Sequence, residues 1–401
     1  MSAESYTKIS SMEPLLPASG RCELTALSVE IFKKSGELTT ALPSVVVRRE
    51  VAQIVCEMNS YYSNLIEGHK TMPRDIEKAL KNDFSEQEDD RRNQRMSVAH
   101  IHAEKSMCQR LSDDPETDVF SPEFIKWLHG EFYFYLPENE RFTLSQSGAH
   151  LPLLPGRLRD YNVDVGRHIP PDYQMLDGFL HRFQSFYSGK DIVATDQLIA
   201  LAAAHHRLAW IHPFGDGNGR VARLQSQAVM VKLGLDSGGL WTLSRGLARE
   251  KSSYYAHLQS ADQRRGSDFD GRGNLSDQSL FRFCEFFLTQ CLDQVEFMLG
   301  VLSPFNLQDR IEHYIRFTRV DLDGPLREHL VRLLKALCLQ GEIARGLVPG
   351  ILGLKGSASR EVVRKALSEG LVASHTEKGP LRIVFPNKVV DDYFPQLVAN
   401  L

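Results

Sequence analysis

Long apolar runs are missing from this 401-residue chain. No stretch approaches the ~20 apolar residues that a bilayer-spanning helix needs, so none is expected. The first twenty residues hold Glu4, Glu13, Pro14 and Pro17 and no apolar leader core. They predict no secretory signal and a cytoplasmic address. An excess of charge of one sign is missing too. The 47 basic and 51 acidic residues leave a formal charge of −4, which excludes polyanion binding by the chain as a whole. Cys22, Cys56, Cys108, Cys284, Cys291 and Cys338 form no C-x-x-C pair. That spacing predicts buried thiols in a reducing compartment, not a disulfide frame or a zinc site. There is no internal repeat, no low-complexity tract and no G-x-x-x-x-G-K-[ST] phosphate loop. What is present is 42% apolar and 24% charged residues, enough for a sizeable core, which excludes a disordered or fibrous chain. At ~150 residues per domain the length predicts two or three units.

Helical periodicity dominates the first three hundred residues. After Pro43, apolar positions 47, 51, 54, 55, 58, 62, 65 and 66 step by three and four, predicting an amphipathic helix over Val45–Ile66 closed by Gly68 in the left-handed region. The charge run Asp83–Arg95 reads as a solvated helix face or loop. Ser121-Pro122-Glu123 predicts an N-cap with proline in the first turn. Tyr161–Gly166 alternates apolar and polar residues, predicting one arm of a short hairpin. Thr195-Asp196 opens a strongly apolar helix over Leu198–Ile211. Helices follow from about Arg220 to Leu233 and from Leu280 to Leu302.

The segment His212-Pro213-Phe214-Gly215-Asp216-Gly217-Asn218-Gly219-Arg220-Val221-Ala222-Arg223 carries most of the chemistry. Gly217, Asn218 and Gly219 form a tight turn that opens a helix. The first N–H groups of a helix lack internal partners and sit at the positive end of its dipole, so this turn is an anion site. Arg220 and Arg223 are three apart and project to one side, where they can clamp further phosphate oxygens. Asp216 precedes the turn, and a single carboxylate beside a polyphosphate is how Mg²⁺ is usually held. His212, just before the turn, can take a proton from an attacking hydroxyl. Phe214 anchors the loop in the core. Taken singly, each of these residues has an ordinary structural reading; the combination does not.

Competing motifs fail. Asp268–Asn274 begins like a calcium loop, but Arg272 stands at its fifth position and Ser279 at its twelfth, where ligands are required. His205 and His206 point about 100° apart on a helix and share no metal site.

The twelve-residue string resembles the motif of the Fic family, His-x-Phe-x-Asp/Glu-Gly-Asn-Gly-Arg-x-x-Arg, at every fixed position. The resemblance spans about residues 120–300, and Phe32–Lys70 in outline. It implies a mainly α fold, a helical Fic core with a short β-hairpin flap. It also implies transfer of AMP from ATP to hydroxyl side chains of target proteins. His212 would be the base and Asp216 the Mg²⁺ ligand. Gly217, Asn218 and Gly219 would bind the α- and β-phosphates. Arg220 and Arg223, with Val221 and Ala222 between them, would complete the phosphate site. Val165, Gly166, Arg167 and His168 look like the end of the flap over the site. Tyr254 and Tyr255 look like the family's pair near the adenine, although two ordinary core aromatics would read the same way. Asp262 stands where some relatives carry Asn.

Ser63-Asn64-Leu65-Ile66-Glu67-Gly68 is similar to the family's inhibitory string, Ser/Thr-x-x-x-Glu-Gly/Asn. The resemblance implies that Glu67 pairs with Arg223 and denies that guanidinium to the γ-phosphate. A surface glutamate at a helix end is the alternative, at a point where the dipole disfavours it.

After Pro304 the texture changes. Residues 305–401 hold 14 basic and 11 acidic residues, +3, against 33 and 40, −7, for the remainder. Helices over Leu326–Cys338, Arg345–Leu352 and Ser359–Ser368, the last capped at Ser357–Ser359, lead into β signals at Gly370–Val372 and Leu381–Phe385. This order predicts a small winged helix-turn-helix whose Arg360, Arg364 and Lys365 could meet DNA, or a docking domain of the same shape. The division expected is 1–119, an N-terminal helical region with the inhibitory helix; 120–303, the catalytic domain; and 304–401, the winged helix. Partners expected are target-protein hydroxyls, with self-modification, DNA and a second copy of the chain as further candidates, and no membrane. The competing reading is a DNA-binding regulator whose site is regulatory, removes AMP, or transfers another nucleotidyl or phosphoryl group.

Overall fold

The computed structural model describes residues 6–144, 150–189, 192–193 and 196–398. Thr195, expected to open a helix, lies outside them. The fold is mainly helical: α1 (Arg21–Ala41), α2 (Val45–Ile66), α3 (Pro73–Leu80), α4 (Glu88–Asp113), α5 (Pro122–Phe134), strands β1 (Phe142–Leu144) and β2 (His150–Pro152), then α6 (Leu176–Tyr187), α7 (Gln197–Ile211), α8 (Asn218–Lys232), α9 (Leu243–Arg249), α10 (Lys251–Ala261) and α11 (Asp277–Leu302). The C-terminal part holds α12 (Pro304–His313), α13 (Gly324–Gln340), β3 (Glu342–Ile343), α14 (Val348–Leu352), α15 (Gly356–Ser368), β4 (Val372–Ala373), β5 (Leu381–Ile383) and α16 (Asn387–Tyr393). No helix among the described residues is long and apolar enough to cross a membrane.

By packing, the chain falls into two compact units. The first comprises residues 1–33, 59–236 and 242–294. At its centre α7 is buried on nearly every side, from Leu198 to Ile211, which is why its sequence is apolar all round. α5 begins as expected: Pro122 occupies its first turn, and the Ser121 hydroxyl accepts the Phe124 N–H at 3.1 Å. The acidic start of α4, Glu88, Asp89 and Asp90, faces solvent at the positive end of the helix dipole.

The hairpin is not where the alternation placed it. β1 and β2 pair antiparallel, Thr143 opposite Leu151. Tyr161–Gly166 forms no strand arm. Its polar groups are used by Arg159 and by Asn162, whose side-chain carbonyl accepts the Tyr173 N–H, so the backbone runs as a braced loop. Only a tight turn remains beyond it, closed by Val165 N to His168 O at 2.9 Å and His168 N to Val165 O at 3.0 Å.

The second unit comprises residues 34–58, 237–241 and 295–401. α13 and α15 pack Leu330, Leu334, Leu337, Val362 and Ala366 beside a three-stranded antiparallel sheet of order β3-β5-β4. Glu342 lies opposite Arg382, and Val372 opposite Ile383. α15 starts three residues earlier than its expected cap: Ser359 is 3% exposed inside the first turn. Among the cysteines, Cys284, Cys291 and Cys338 are buried as expected, whereas Cys22 and Cys108 lie on the solvent faces of α1 and α4.

Candidate functional site

α7 ends at His212, which adopts the left-handed conformation (φ 49°, ψ 61°) without being glycine. For an L residue that conformation costs roughly 1–2 kcal/mol. Arg159 holds it in place: its Nε donates to the His212 carbonyl at 2.9 Å, and its backbone N–H donates to the Pro213 carbonyl at 3.0 Å. The same guanidinium reaches the Tyr161 and Pro171 carbonyls at 2.9 and 2.6 Å, so one buried arginine ties the loop 159–171 to the end of α7. Burial, with the charges of His168 and Arg159, holds His212 down at about 4, so its imidazole is neutral at pH 7.

The loop that follows is closed by Asn218. Its Oδ1 accepts the Phe214 N–H and its Nδ2 donates to the Phe214 carbonyl, both at 2.9 Å. Phe214 is fully buried and stacks on His129 at 4.0 Å, the anchoring role expected for it. Gly217 precedes α8 at φ 81°, and a Cβ there would lie 2.8 Å from the Tyr133 ring. Glycine is required there on both counts. A Cβ on Gly219 would collide with the Glu67 carboxylate.

Asp216 Oδ2 accepts the Tyr133 hydroxyl at 2.7 Å and Arg220 Nη2 at 3.0 Å. Burial would raise this carboxyl; the Arg220 charge and the Tyr133 bond outweigh it and keep Asp216 ionised. Arg220 packs over the Phe132 ring at 4.7 Å. Arg220, expected to hold phosphate, is bonded to Asp216 in this structure.

α2 ends in a Schellman turn. Gly68 N donates to Leu65 O at 3.1 Å and His69 N to Asn64 O at 2.9 Å, with Gly68 at φ 91°. Glu67 is therefore the C-cap, and its Oε1 lies 2.6 Å from Arg223 Nη2. Arg223 also donates from Nε to the Ser63 hydroxyl and from Nη2 to the Ser63 carbonyl, each at 2.9 Å. Burial would raise Glu67, but Arg223 and Arg220 hold it below the usual carboxylate value.

A cavity of about 440 Å³ joins these groups. Glu67, His212, Asn218, Gly219 and Arg223 form one part of its wall, Val165 to His168 a second, and Tyr254, Tyr255, Leu258, Gln259 and Asp262 of α10 and its end a third. Tyr254 is buried, with its hydroxyl 2.7 Å from His205 Nε2; His205 Nδ1 meets Ser226 Oγ at 2.8 Å. Tyr255 donates to the Ile66 carbonyl at 3.1 Å. Val221 and Ala222, expected at the nucleotide, are core residues at 1% and 0% exposure and do not line the cavity that Arg223 lines. Asp216, Gly217 and Arg220 are not among its lining residues, although the Asp216 side chain is 44% exposed. Among the described residues no group of three or more His, Cys, Asp and Glu side chains is placed to hold a metal ion.

Tyr133 and Arg159 are not legible in the sequence as site residues. Tyr133 sits in an aromatic run, Phe132–Tyr135, and Arg159 in a loop without motif spacing. The basic residues of α15 are partly paired: Lys365 with Glu369 at 2.7 Å and Arg364 with Glu361 at 3.6 Å.

Residues 119–230 match the Fic/DOC family. Similar curated proteins include a protein adenylyltransferase Fic of Nematostella vectensis, 33% identical over 114 residues, 28% of this chain and 25% of that protein. Another is a protein adenylyltransferase Fic of Aedes aegypti, 32% identical over 112 residues, 28% of this chain and 21% of that protein. The matched region thus spans about a quarter of the length of these relatives. Among solved structures, a Fic family protein from Desulfovibrio desulfuricans G20 superposes with a TM-score of 0.54 at 15% identity, over 94% of this chain and 99% of that one. Fic-1 (residues 134–508) from C. elegans superposes at 0.53 and 17% identity, over 70% and 73%. The motif, the fold and these matches agree: the chain carries a Fic-family domain over residues 119–230.

Proposed function

We propose that this protein transfers the AMP moiety of ATP to a Ser, Thr or Tyr hydroxyl of a target protein, and that Glu67 restrains the reaction. The observation that carries this reading is one cavity of about 440 Å³ shared by a neutral imidazole, His212, and the glycine-led N-terminus of α8. A neutral imidazole has one ring nitrogen free of hydrogen, and that nitrogen can accept a proton. His212 takes the proton of the target hydroxyl as its oxygen attacks the α-phosphorus. The bond from the α-phosphorus to the bridging oxygen breaks, and pyrophosphate leaves with the electron pair. Backbone N–H groups at Asn218 and Gly219 stabilise the charge that develops on the phosphoryl oxygens. Arg223 serves the phosphate tail once Glu67 lets go.

Asp216 suits Mg²⁺: it is ionised, its side chain is 44% exposed, and Tyr133 and Arg220 fix its orientation. When bound, the ion would neutralise phosphate charge. Val165 to His168 would align the target segment by strand addition. Self-modification belongs to the same chemistry.

The three-part organisation, 1–119, 120–303 and 304–401, belongs to this proposal as well. Helix, strand, two helices and two strands, with sheet order β3-β5-β4, support a winged helix for the last part. The ion pairs along α15 favour a docking role for it over contact with a duplex. The decisive experiment is intact-mass analysis after incubation with Mg-ATP. A gain of one AMP unit that disappears in His212→Ala supports the reading; a gain of phosphate, or none in the Glu67→Gly variant, sinks it.

A further inference from the structure

The hollow beside His212 does not end at Asp262. A second cavity, of about 630 Å³, shares Arg167, His168, Gln259 and Asp262 with it and adds Tyr6 and Arg264. A third, of about 450 Å³, shares Arg264 with the second and adds Glu13, Arg272 and Asn274. Through these shared side chains the three follow one another from His212 to Arg272. Their walls are fixed. The Tyr6 carbonyl accepts the Asp172 N–H at 2.9 Å, and the Tyr6 ring packs 5.0 Å from Trp210, two residues before His212. Arg264 lies over the Tyr6 ring at 5.6 Å. Segment 263–276 doubles back on itself, with Ser276 N to Gln263 O at 3.0 Å and Arg265 N to Asn274 O at 3.1 Å. Leu275 N ties it to the Glu13 carbonyl at 2.9 Å. A wall preformed in this way loses little freedom when a ligand binds. The charge along the row is uneven. Its carboxylates are already engaged, Asp262 by His206 at 3.1 Å and Glu13 by Arg182 at 2.6 Å. Arg167, Arg264 and Arg272 are exposed, and among the described residues none of them is in an ion pair.

Building on the nucleotide-transfer reading, we infer that the second and third cavities are a docking groove for the target protein, and that the groove selects a hydroxyl flanked by acidic residues. A target segment laid along Val165–His168 continues past Tyr6, where its carboxylates meet Arg264 and then Arg272. Exposed ion pairs contribute a factor of roughly 1.5 to 5 each, so the groove discriminates among targets more than it tightens binding. A basic flank meets like charge along the same path, which disfavours it. The observations favour a peptide over a nucleic-acid strand. The path starts at a backbone edge, and the Tyr6 ring is packed against Trp210 and Arg264 rather than free for a base to stack on.

The test is fluorescence anisotropy of the full chain with dye-labelled peptides. Each carries one central Ser and a run of Glu, Gln or Lys on its N-terminal or its C-terminal side. For one of the two placements the Glu peptide is expected to bind ~10-fold more tightly than the Gln peptide at low salt, with the advantage shrinking as salt is raised. The double variant Arg264→Glu, Arg272→Glu should lose that preference and bind the Lys peptide best. Equal affinities for Glu and Gln peptides in both placements, a preference unmoved by the double variant, no binding of any peptide, or tighter binding of a single-stranded oligonucleotide overturns the inference. Binding is read apart from transfer. A protein that prefers the acidic peptide yet adds no AMP to any hydroxyl would sink the proposed function and leave the groove standing. One that adds AMP to all the peptides alike would sink the groove and leave the function.

Discussion

Glu67 Oε1 and Arg223 Nη2 lie 2.6 Å apart, and Ser63 of the same helix end accepts two more bonds from that guanidinium. Three of the five N–H groups of this cavity-lining arginine are thus already engaged by α2. On the proposed function, an incoming γ-phosphate would have to compete with a carboxylate that neighbouring arginines hold ionised.

Replacing Glu67 by Gly should raise AMP incorporation by well over tenfold. Glu67 is 27% exposed and Ser63 continues to bond Arg223, so the stability change should stay near ~1 kcal/mol, read as a small shift in Tm. Arg223→Ala should not reproduce the gain, since it removes the phosphate ligand with the brake. The double variant should be as slow as Arg223→Ala alone.

His212→Ala should lower the transfer rate by ~10²–10⁴ while nucleotide binding persists. With the imidazole held down at about 4, the base is neutral throughout the physiological range. The rate should therefore lack an acidic limb near the ordinary histidine value of 6.5. It should be lost only as pH falls through about 4, provided the fold survives there. A limb at 6–7 that vanishes in His212→Ala would contradict this environment.

Chelation addresses Asp216. Activity of the Glu67→Gly variant should vanish in EDTA and return with Mg²⁺ or Mn²⁺. Tyr133→Phe frees one side of the carboxylate and should raise the Mg²⁺ concentration needed for half-maximal rate. Undiminished transfer in chelator would exclude a metal at Asp216.

Arg159→Lys keeps the charge but loses the fork that binds the His212, Tyr161 and Pro171 carbonyls. The expected outcome is a fall in kcat of about tenfold, with nucleotide affinity nearly unchanged. An equal loss in affinity would mean that Arg159 supports the cavity as a whole rather than the base.

Asn218→Ala breaks both bonds that close the 214–218 loop. At about 1 kcal/mol per hydrogen bond, thermal denaturation should report a loss of ~2 kcal/mol along with weakened nucleotide binding.

The sequence by itself determined what is local. The helix over Val45–Ile66, the proline start of α5, the left-handed Gly68 and the glycine turn before α8 all follow from backbone preferences within a few residues, and all are found. The twelve contiguous residues from His212 to Arg223 can be read together because the glycine turn and helix start they form depend on neighbours in the chain. Tertiary structure decided what depends on segments far apart. Tyr133 reaches Asp216 across 83 residues, and Arg159 reaches His212 across 53. Neither has a spacing to read, since the contact exists only after α5, α7 and α8 have packed. The Glu67–Arg223 pair spans 156 residues and was expected only through a family resemblance, not from the residues themselves. The alternation at Tyr161–Gly166 misled for the same reason. A strand needs a partner ladder, and there the backbone and side-chain polar groups bond to Arg159 and Tyr173 instead.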